Sequence, residues 1–381
     1  MVRKTKHLTR REFVKRTAAG SLGVAAASRM GLWGADVQAS QDFKGEELRV
    51  FTYAGAWGDQ LTKNWAPMVQ EATGAEVIIE LGWWDSIPKL KASPPGQPAF
   101  DLIMTDATQG YPAIREGMFQ KVNWDNIPNA SLFHPAVMDN WVVNESWGVT
   151  WPDAAQTGVY NTDVIKSAPD SWADLLDDRF TGKLGMYNSF YFSLFTFACM
   201  MVGSQGMPGT ARDVCNADIS KVLEFAKSQR DRVNYWWPSS SDMALNLVQQ
   251  NVHVGNIHSV DAFMPVREGE PIGTFVPATD RASFQAIWLV AEDTKKNALA
   301  EAAINVFCGE EFQEIYALDG GFPTSIPSVA ARVAGQDALW ADINTHKAAD
   351  FEAWGTYPYD AYFADWDNIV EYWDREVLRS S

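Results

Sequence analysis

Between Leu48 and Thr105 the chain alternates strand and helix signals at a spacing that leaves little choice of fold. Leu48–Phe51 is a short apolar run and reads as a strand. From about Gly58 to Thr73, Leu61, Trp65, Met68 and Val69 recur on one helical face, and Gly74 supplies the stop. Glu76–Leu81 alternates enough to be a second strand, and Asp85–Lys91 gives a short helix. Ser93-Pro94-Pro95-Gly96 is a breaker, and Asp101–Thr105 a third, largely apolar strand. Strand–helix–strand at this spacing predicts an α/β fold with a parallel, doubly wound sheet. In such sheets ligands collect at the carboxyl ends of the strands. That singles out Tyr53 to Trp57, Trp83 to Asp85, and Asp106 to Gln109.

The same texture returns downstream. Ile219–Arg230 and Ser241–Gln250 are helical in period, Val252–Ile257, Ile272–Val276 and Ala286–Val290 read as strands, and Ala298–Phe307 as a further helix. A chain of this length exceeds what one core usually supports, so two domains are expected. No repeat, low-complexity tract or long linker separates them. The chain is therefore expected to cross from one domain to the other more than once.

The first 39 residues have a different character. Thr9-Arg10-Arg11-Glu12-Phe13-Val14-Lys15 sets paired arginines before an aromatic and a lysine. A weakly apolar run, Ala18 to Ala27, follows, and then Val37-Gln38-Ala39, a small-residue cleavage site. Charged, apolar, small is the order of an export signal, and the arginine pair gives it a twin-arginine form. The apolar run contains glycine and ends before Arg29, well short of the ~20 residues that span a bilayer. The expectation is a periplasmic protein exported folded.

Removing this leader takes eight of 31 basic and two of 48 acidic side chains, leaving 23 against 46 and a net charge of −23. Such a surface repels nucleic acid and anionic lipid. Cys199, Cys215 and Cys308 are odd in number and widely spaced, so they define neither a disulfide framework nor a zinc site and read as buried thiols. No cysteine follows the leader to carry a lipid anchor. Tryptophan is abundant, at 17, with the adjacent pairs Trp83-Trp84 and Trp236-Trp237. Rings this large usually fill cores, yet pairs in loops also suit a ligand box.

Gly158-Val159-Tyr160-Asn161-Thr162-Asp163, Pro169-Asp170-Ser171-Trp172-Ala173-Asp174-Leu175-Leu176 and Phe180-Thr181-Gly182-Lys183-Leu184-Gly185-Met186 resemble the central signature of bacterial extracellular solute-binding proteins of ABC importers, the polyamine-binding type above all. Val50 to Trp57, Phe100-Asp101-Leu102-Ile103-Met104, Asn256 to Phe263 and Gly320-Gly321-Phe322-Pro323-Thr324 extend the resemblance over the chain beyond its leader. It implies a two-lobed periplasmic-binding-protein-like fold with mixed, mostly parallel sheets and a ligand cleft between the lobes. Lobe one would be 40–152 and 258–308, and lobe two 156–257 and 309–381, with crossings near Pro152–Gln156 and Ile257–His258. The protein would close on ligand by a hinge motion, act as a monomer, and dock on a membrane permease.

A polyamine site needs carboxylates for the ammonium groups and aromatic walls, where a cation gains about 0.5–2 kcal/mol per ring. The walls expected here are Tyr53, Trp57, Trp83, Tyr191, Trp236 and Trp237, with Trp84 and Phe190 beside them. The polar candidates are Asp106, Asp153, Asn188, His258, Asp261 and Gln285. The carboxylates fall short of the resemblance. The loop after the Gly-Lys strand reads Asn188-Ser189-Phe190-Tyr191-Phe192 without an acid, and Gln285 stands where relatives carry Asp. Few acids and many rings suit a compact monocation, amine or betaine-like, as well as a polyamine.

No cofactor or resident metal is expected. Two other readings share the fold. Ferric-ion binding would draw on Tyr357, Tyr359 and Tyr362, but no Tyr-Tyr pair lies where a strand of lobe two ends. A thiamine-cleaving type of enzyme would need an activated cysteine, and none of the three follows a strand end. No Gly-x-Ser-x-Gly, His-Glu-x-x-His or phosphate-cradling Gly-Lys-Ser/Thr motif is present. The sequence therefore points to a binding protein and away from catalysis.

Overall fold

The computed structural model describes residues 43–277, 279–344, 351 and 355–378, so the export signal expected in residues 1–39 lies outside the described residues. The chain forms two compact units. The first comprises residues up to Trp151, Gln285–Gly320 and Thr324–Ala331; the second comprises Pro152–Phe284, Gly321–Pro323 and the remainder from Arg332.

The first unit is built on β1 (Glu47–Tyr53), β2 (Glu76–Gly82), β3 (Leu102–Asp106), β4 (Phe119–Gln120) and the latter part of β10 (Ala282–Ala291). Its strand order is β2-β1-β3-β10. β1 runs parallel to β2 and β3, and β10 runs antiparallel to β3 with Ala286 opposite Asp106. Residues 56–73 form one helical run whose middle turn, Leu61–Trp65, widens to π geometry. Pro67 follows directly; it lacks an N–H, and its ring crowds the carbonyl one turn back. The run closes on Gly74 in the left-handed region, φ 77°. Its Trp65 stacks on Trp288 at 5.2 Å and donates Nε1–H to the Ala303 carbonyl at 3.1 Å, locking helix and sheet together in the core.

The second unit repeats the scheme with β5 (Gly148–Asn161), β6 (Leu184–Tyr187), β7 (Val233–Trp237), β8 (Val254–His258) and β9 (Ile272–Phe275). The order is β5-β8-β6-β7, with β6 parallel to β7 and β8 and β5 antiparallel to β8. β9 pairs with β5, and β11 (Gly355–Thr356) with Ala282 and Ser283 at the start of β10. Both units thus share one topology: second strand outermost, then first, then third, then an antiparallel strand. The helix Phe190–Gln205 is apolar all round and buried on every face from Phe190 to Val202, as a helix at the centre of a unit must be.

Two expectations change. The second crossing lies at Phe284–Gln285, not near Ile257–His258, because β8 and β9 pair with β5 and hold residues 258–284 in the second unit. Residues 309–320 and 324–331, assigned to lobe two from the sequence, pack in the first unit instead. The sheets are mixed, as the resemblance implied, and not purely parallel. Among the described residues no helix is long and apolar enough to cross a membrane.

One close approach fixes the centre of the second sheet. Gly185 and Gly255 face each other across β6 and β8. A Cβ on Gly255 would meet the Gly185 carbonyl oxygen at 1.8 Å and Met243 Cε at 2.8 Å. Gly255→Ala is therefore expected to destabilise the protein by at least about 2 kcal/mol in denaturant unfolding. The control is Gly335→Ala in the helix Pro327–Gln336, where a Cβ meets nothing within 4 Å; it should be neutral or slightly stabilising.

Candidate functional site

In the first unit the carboxyl ends of β1, β2 and β3 lie along one edge, and antiparallel β10 brings Gln285 to the same edge beside Asp106. Tyr53 ends β1 and is buried; its hydroxyl accepts from the Asp106 backbone N–H and from Gln109 Nε2, both at 3.1 Å. Burial, reinforced by the nearby Asp106 charge, pushes its phenol well above the usual range. Asp106 ends β3 and caps the helix Ala107–Arg115. Its Oδ1 accepts from Thr108 Oγ1 at 2.5 Å and from the Gln109 N–H at 3.0 Å. Burial raises its carboxyl, and these hydrogen bonds offset the rise in part. Gln285 accepts from the Tyr111 hydroxyl at 2.5 Å, and both are buried.

Three rings gather at this edge. Trp83 lies nearly parallel to Tyr53 at 5.8 Å, and Trp57 stands edge-on to both, at 6.1 Å from Trp83 and 6.5 Å from Tyr53. Trp57 and Tyr53 are buried, whereas Trp83 is 49% and Trp84 50% exposed. Asp85 positions the loop: its Oδ1 accepts from the Trp83 N–H at 3.1 Å, and its other oxygen pairs with Lys89.

In the second unit β6, β7 and β8 end together at Tyr187, Trp237 and His258, and β5 contributes Asp153 and Gln156. Tyr187 stacks on Trp237 at 4.2 Å. Trp237 is fully buried among Val159, Met243, Leu247, Val252 and Ile257, and its Nε1–H donates to the Asn256 carbonyl. Trp236, the next residue along the strand, packs instead toward Phe197 and Trp373. The two rings of this pair therefore belong to opposite faces of the sheet.

His258 is enclosed by four rings: Phe192 at 4.6 Å, Tyr187 at 5.8 Å, Phe284 at 6.1 Å and Trp237 at 6.3 Å. Across the ladder Gln156 donates Nε2–H to Thr196 Oγ1 at 2.5 Å. Asn256 donates to Ser193 and Thr196 and accepts from the Tyr187 N–H. Tyr191 is buried, with its ring edge-on to Tyr187 and Tyr357. Asn188 is half-buried; its N–H donates to the Trp237 carbonyl, and its own carbonyl accepts from Trp373 Nε1. Asp153 is fully buried, and Asp261 is half-buried in the first turn of the helix Ser259–Arg267.

Tyr53, Trp57, Trp83, Asp106 and Gln285 thus come together in one unit, and Trp237, His258 and Tyr191 around Tyr187 in the other. Trp236 and Asn188 sit with Trp373. Sequence reasoning missed Tyr187, Phe192, Gln156 and Asn256. Tyr187 was accessible as a strand-end residue, whereas Asn256 lies mid-strand and Phe192 inside a featureless apolar run.

Burial alone lowers the His258 imidazole from 6.5 to about 3, so it is neutral near pH 7. As the pH falls below 6.5 the unfolded chain binds this proton first. The stability contribution is complete above pH 6.5 and is lost as the pH drops toward 3, by at most about 1.4 kcal/mol per pH unit. His258→Asn is expected to flatten the stability-against-pH curve between pH 6.5 and 4; an unchanged slope in denaturant titrations would remove this role.

Comparisons with known proteins follow this geometry. A model of the bacterial extracellular solute-binding protein family matches residues 64–370. A search of curated proteins gives no match. Among solved structures, an ABC transporter protein from Clostridium perfringens has a TM-score of 0.69 at 16% identity, covering 87% of this chain and 99% of that one. A spermidine/putrescine ABC transporter substrate-binding protein, PotD, from Streptococcus pneumoniae scores 0.68 at 14% identity, covering 87% and 100%. A GABA receptor structure scores 0.71 at 15% identity, covering 88% and 100%. At these identities the structures establish the fold, the two-lobed periplasmic-binding-protein type. The family match, over most of the chain, establishes membership: this protein belongs to the bacterial extracellular solute-binding protein family.

Proposed function

We propose that this chain is the periplasmic substrate-binding component of an ABC importer, exported by a twin-arginine-type signal in residues 1–39. It acts as a non-catalytic monomer that takes up a small nitrogenous organic solute (polyamine, amine or betaine-like) and delivers it to a membrane permease. The observation that carries this reading is the Tyr53–Trp57–Trp83 group: three rings in two orientations at the carboxyl ends of strands, with Trp83 half exposed. Core rings have no reason to stay half in solvent, whereas ring faces at a strand edge suit a cation.

The chemistry of the cysteines speaks against the thiamine-cleaving alternative. Burial raises the thiols of Cys199, Cys215 and Cys308, Cys215 to about 12, the reverse of what a nucleophile needs. The ferric alternative is disfavoured in the same way, since Tyr357 and Tyr362 are buried phenols held well above their usual range.

Thermal unfolding against a panel of amines, betaines, amino acids and ferric citrate tests the proposal. A ligand at 100 times its dissociation constant adds about 2.7 kcal/mol. Trp83→Ala and Trp57→Ala are each expected to weaken the binding of a hit at least tenfold, ~1.4 kcal/mol. Because Trp83 is half exposed, its loss should leave the ligand-free melting temperature nearly unchanged. Trp237→Ala should instead cost about 3–5 kcal/mol of stability, as expected of a ring removed from a core. A hit confined to ferric citrate, or unchanged affinity in both first-unit variants, would refute the reading.

A further inference from the structure

We propose that the solute carries a single positive charge, alkylated or delocalised, and is not a polyamine. The inference rests on the nitrogenous-solute reading above and narrows it. Its basis is that the polar groups beside the aromatic clusters are neutral or already committed to the scaffold.

In the first unit two carboxylates stand at the strand edge: Asp85, which holds the Trp83 N–H and pairs with Lys89, and Asp106, which is 1% exposed. Asp106 Oδ1 serves as a helix cap, accepting from Thr108 and from the Gln109 N–H. The Tyr53 hydroxyl is held by Asp106 and Gln109. The side chain that β10 brings to this edge is an amide, Gln285, whose oxygen already takes the Tyr111 proton.

The second unit repeats the pattern. His258, ringed by aromatics, is neutral, and Asn256 is spent on Ser193, Thr196 and the Tyr187 N–H. Across the ladder from His258, Gln156 is 4% exposed and its Oε1 has no hydrogen-bond partner. The acceptor left unmet here is an amide oxygen, not a carboxylate. Asp153 and Asp261 remain, and each already has interactions of its own.

Every primary ammonium brings a full charge and three N–H donors. Burying it without a carboxylate is costly, and a polyamine repeats that cost at each nitrogen. An alkylated ammonium has no N–H to satisfy and draws its attraction from ring faces. These ring-rich edges, whose acids already have partners in the scaffold, match the second kind of solute.

The test is isothermal titration of the full chain with choline, glycine betaine, putrescine and spermidine, with glucose and ferric citrate as solutes without nitrogen. Choline or glycine betaine is expected to bind at least about 100-fold more tightly than either polyamine. Gln285→Glu adds a carboxylate of the same shape to which Tyr111 can still donate. It is expected to tighten putrescine at least tenfold while the betaine gains less. Spermidine or putrescine binding as tightly as choline or glycine betaine would overturn the inference and leave the proposed function standing. An unchanged putrescine affinity in Gln285→Glu would also count against it, since missing charge would then not be what excludes polyamines. A folded chain that takes none of the four nitrogenous solutes overturns the inference; if it binds glucose or ferric citrate instead, the proposed function falls as well.

Discussion

The structure depends first on the pairing of parallel strands. In a parallel ladder neighbouring strands end on the same side, so the residues that follow them are gathered along one edge without any further device. β1, β2 and β3 do this in one unit and β6, β7 and β8 in the other. The antiparallel partner in each, β10 or the part of β5 that follows Trp151, delivers a glutamine to that same edge. Gln285 comes to lie near Asp106, and Gln156 opposite His258, through register alone. A one-residue slip in either strand would send these side chains to the other face of the sheet.

Gathering polar residues at an edge that is also packed has a cost, because a buried donor or acceptor left unpaired loses about 1–3 kcal/mol. The chain meets most of it locally, the Gln156 Oε1 excepted. Asp106 caps its own helix, Asn256 closes the turn at Tyr187, and Gln285 is tied to Tyr111.

The architecture was legible where hydrophobic period carries the information. The opening strand–helix–strand run falls within a residue or two of β1, the helical run 56–73, β2 and β3. β5 was hidden for a physical reason. Nearly all of its 14 residues are buried, so both faces are selected alike and the alternation that marks a half-buried strand is erased. The helix Phe190–Gln205 was obscured in the same way, being apolar on all faces. The crossing was misplaced because strand pairing, a non-local property, decides which unit Ser259–Phe284 joins.

The candidate site was legible by position more than by role. Placing attention after each strand found Tyr53, Trp57, Trp83, Asp106 and His258, all of which lie at strand ends or just beyond. Residue type then misled. Trp236-Trp237 looks like a pair, yet successive residues of a strand point to opposite faces, so adjacency in sequence guarantees separation in space. Trp83-Trp84 follows a strand and escapes that rule, and both rings remain about half exposed. The distinction is general for aromatic doublets. Inside a strand one ring must leave the face that its neighbour occupies, whereas beyond the strand end both can stay at the edge. Here both rings of the doublet beyond β2 are about half exposed, whereas the doublet that ends β7 has Trp237 buried and Trp236 half-buried on the opposite face.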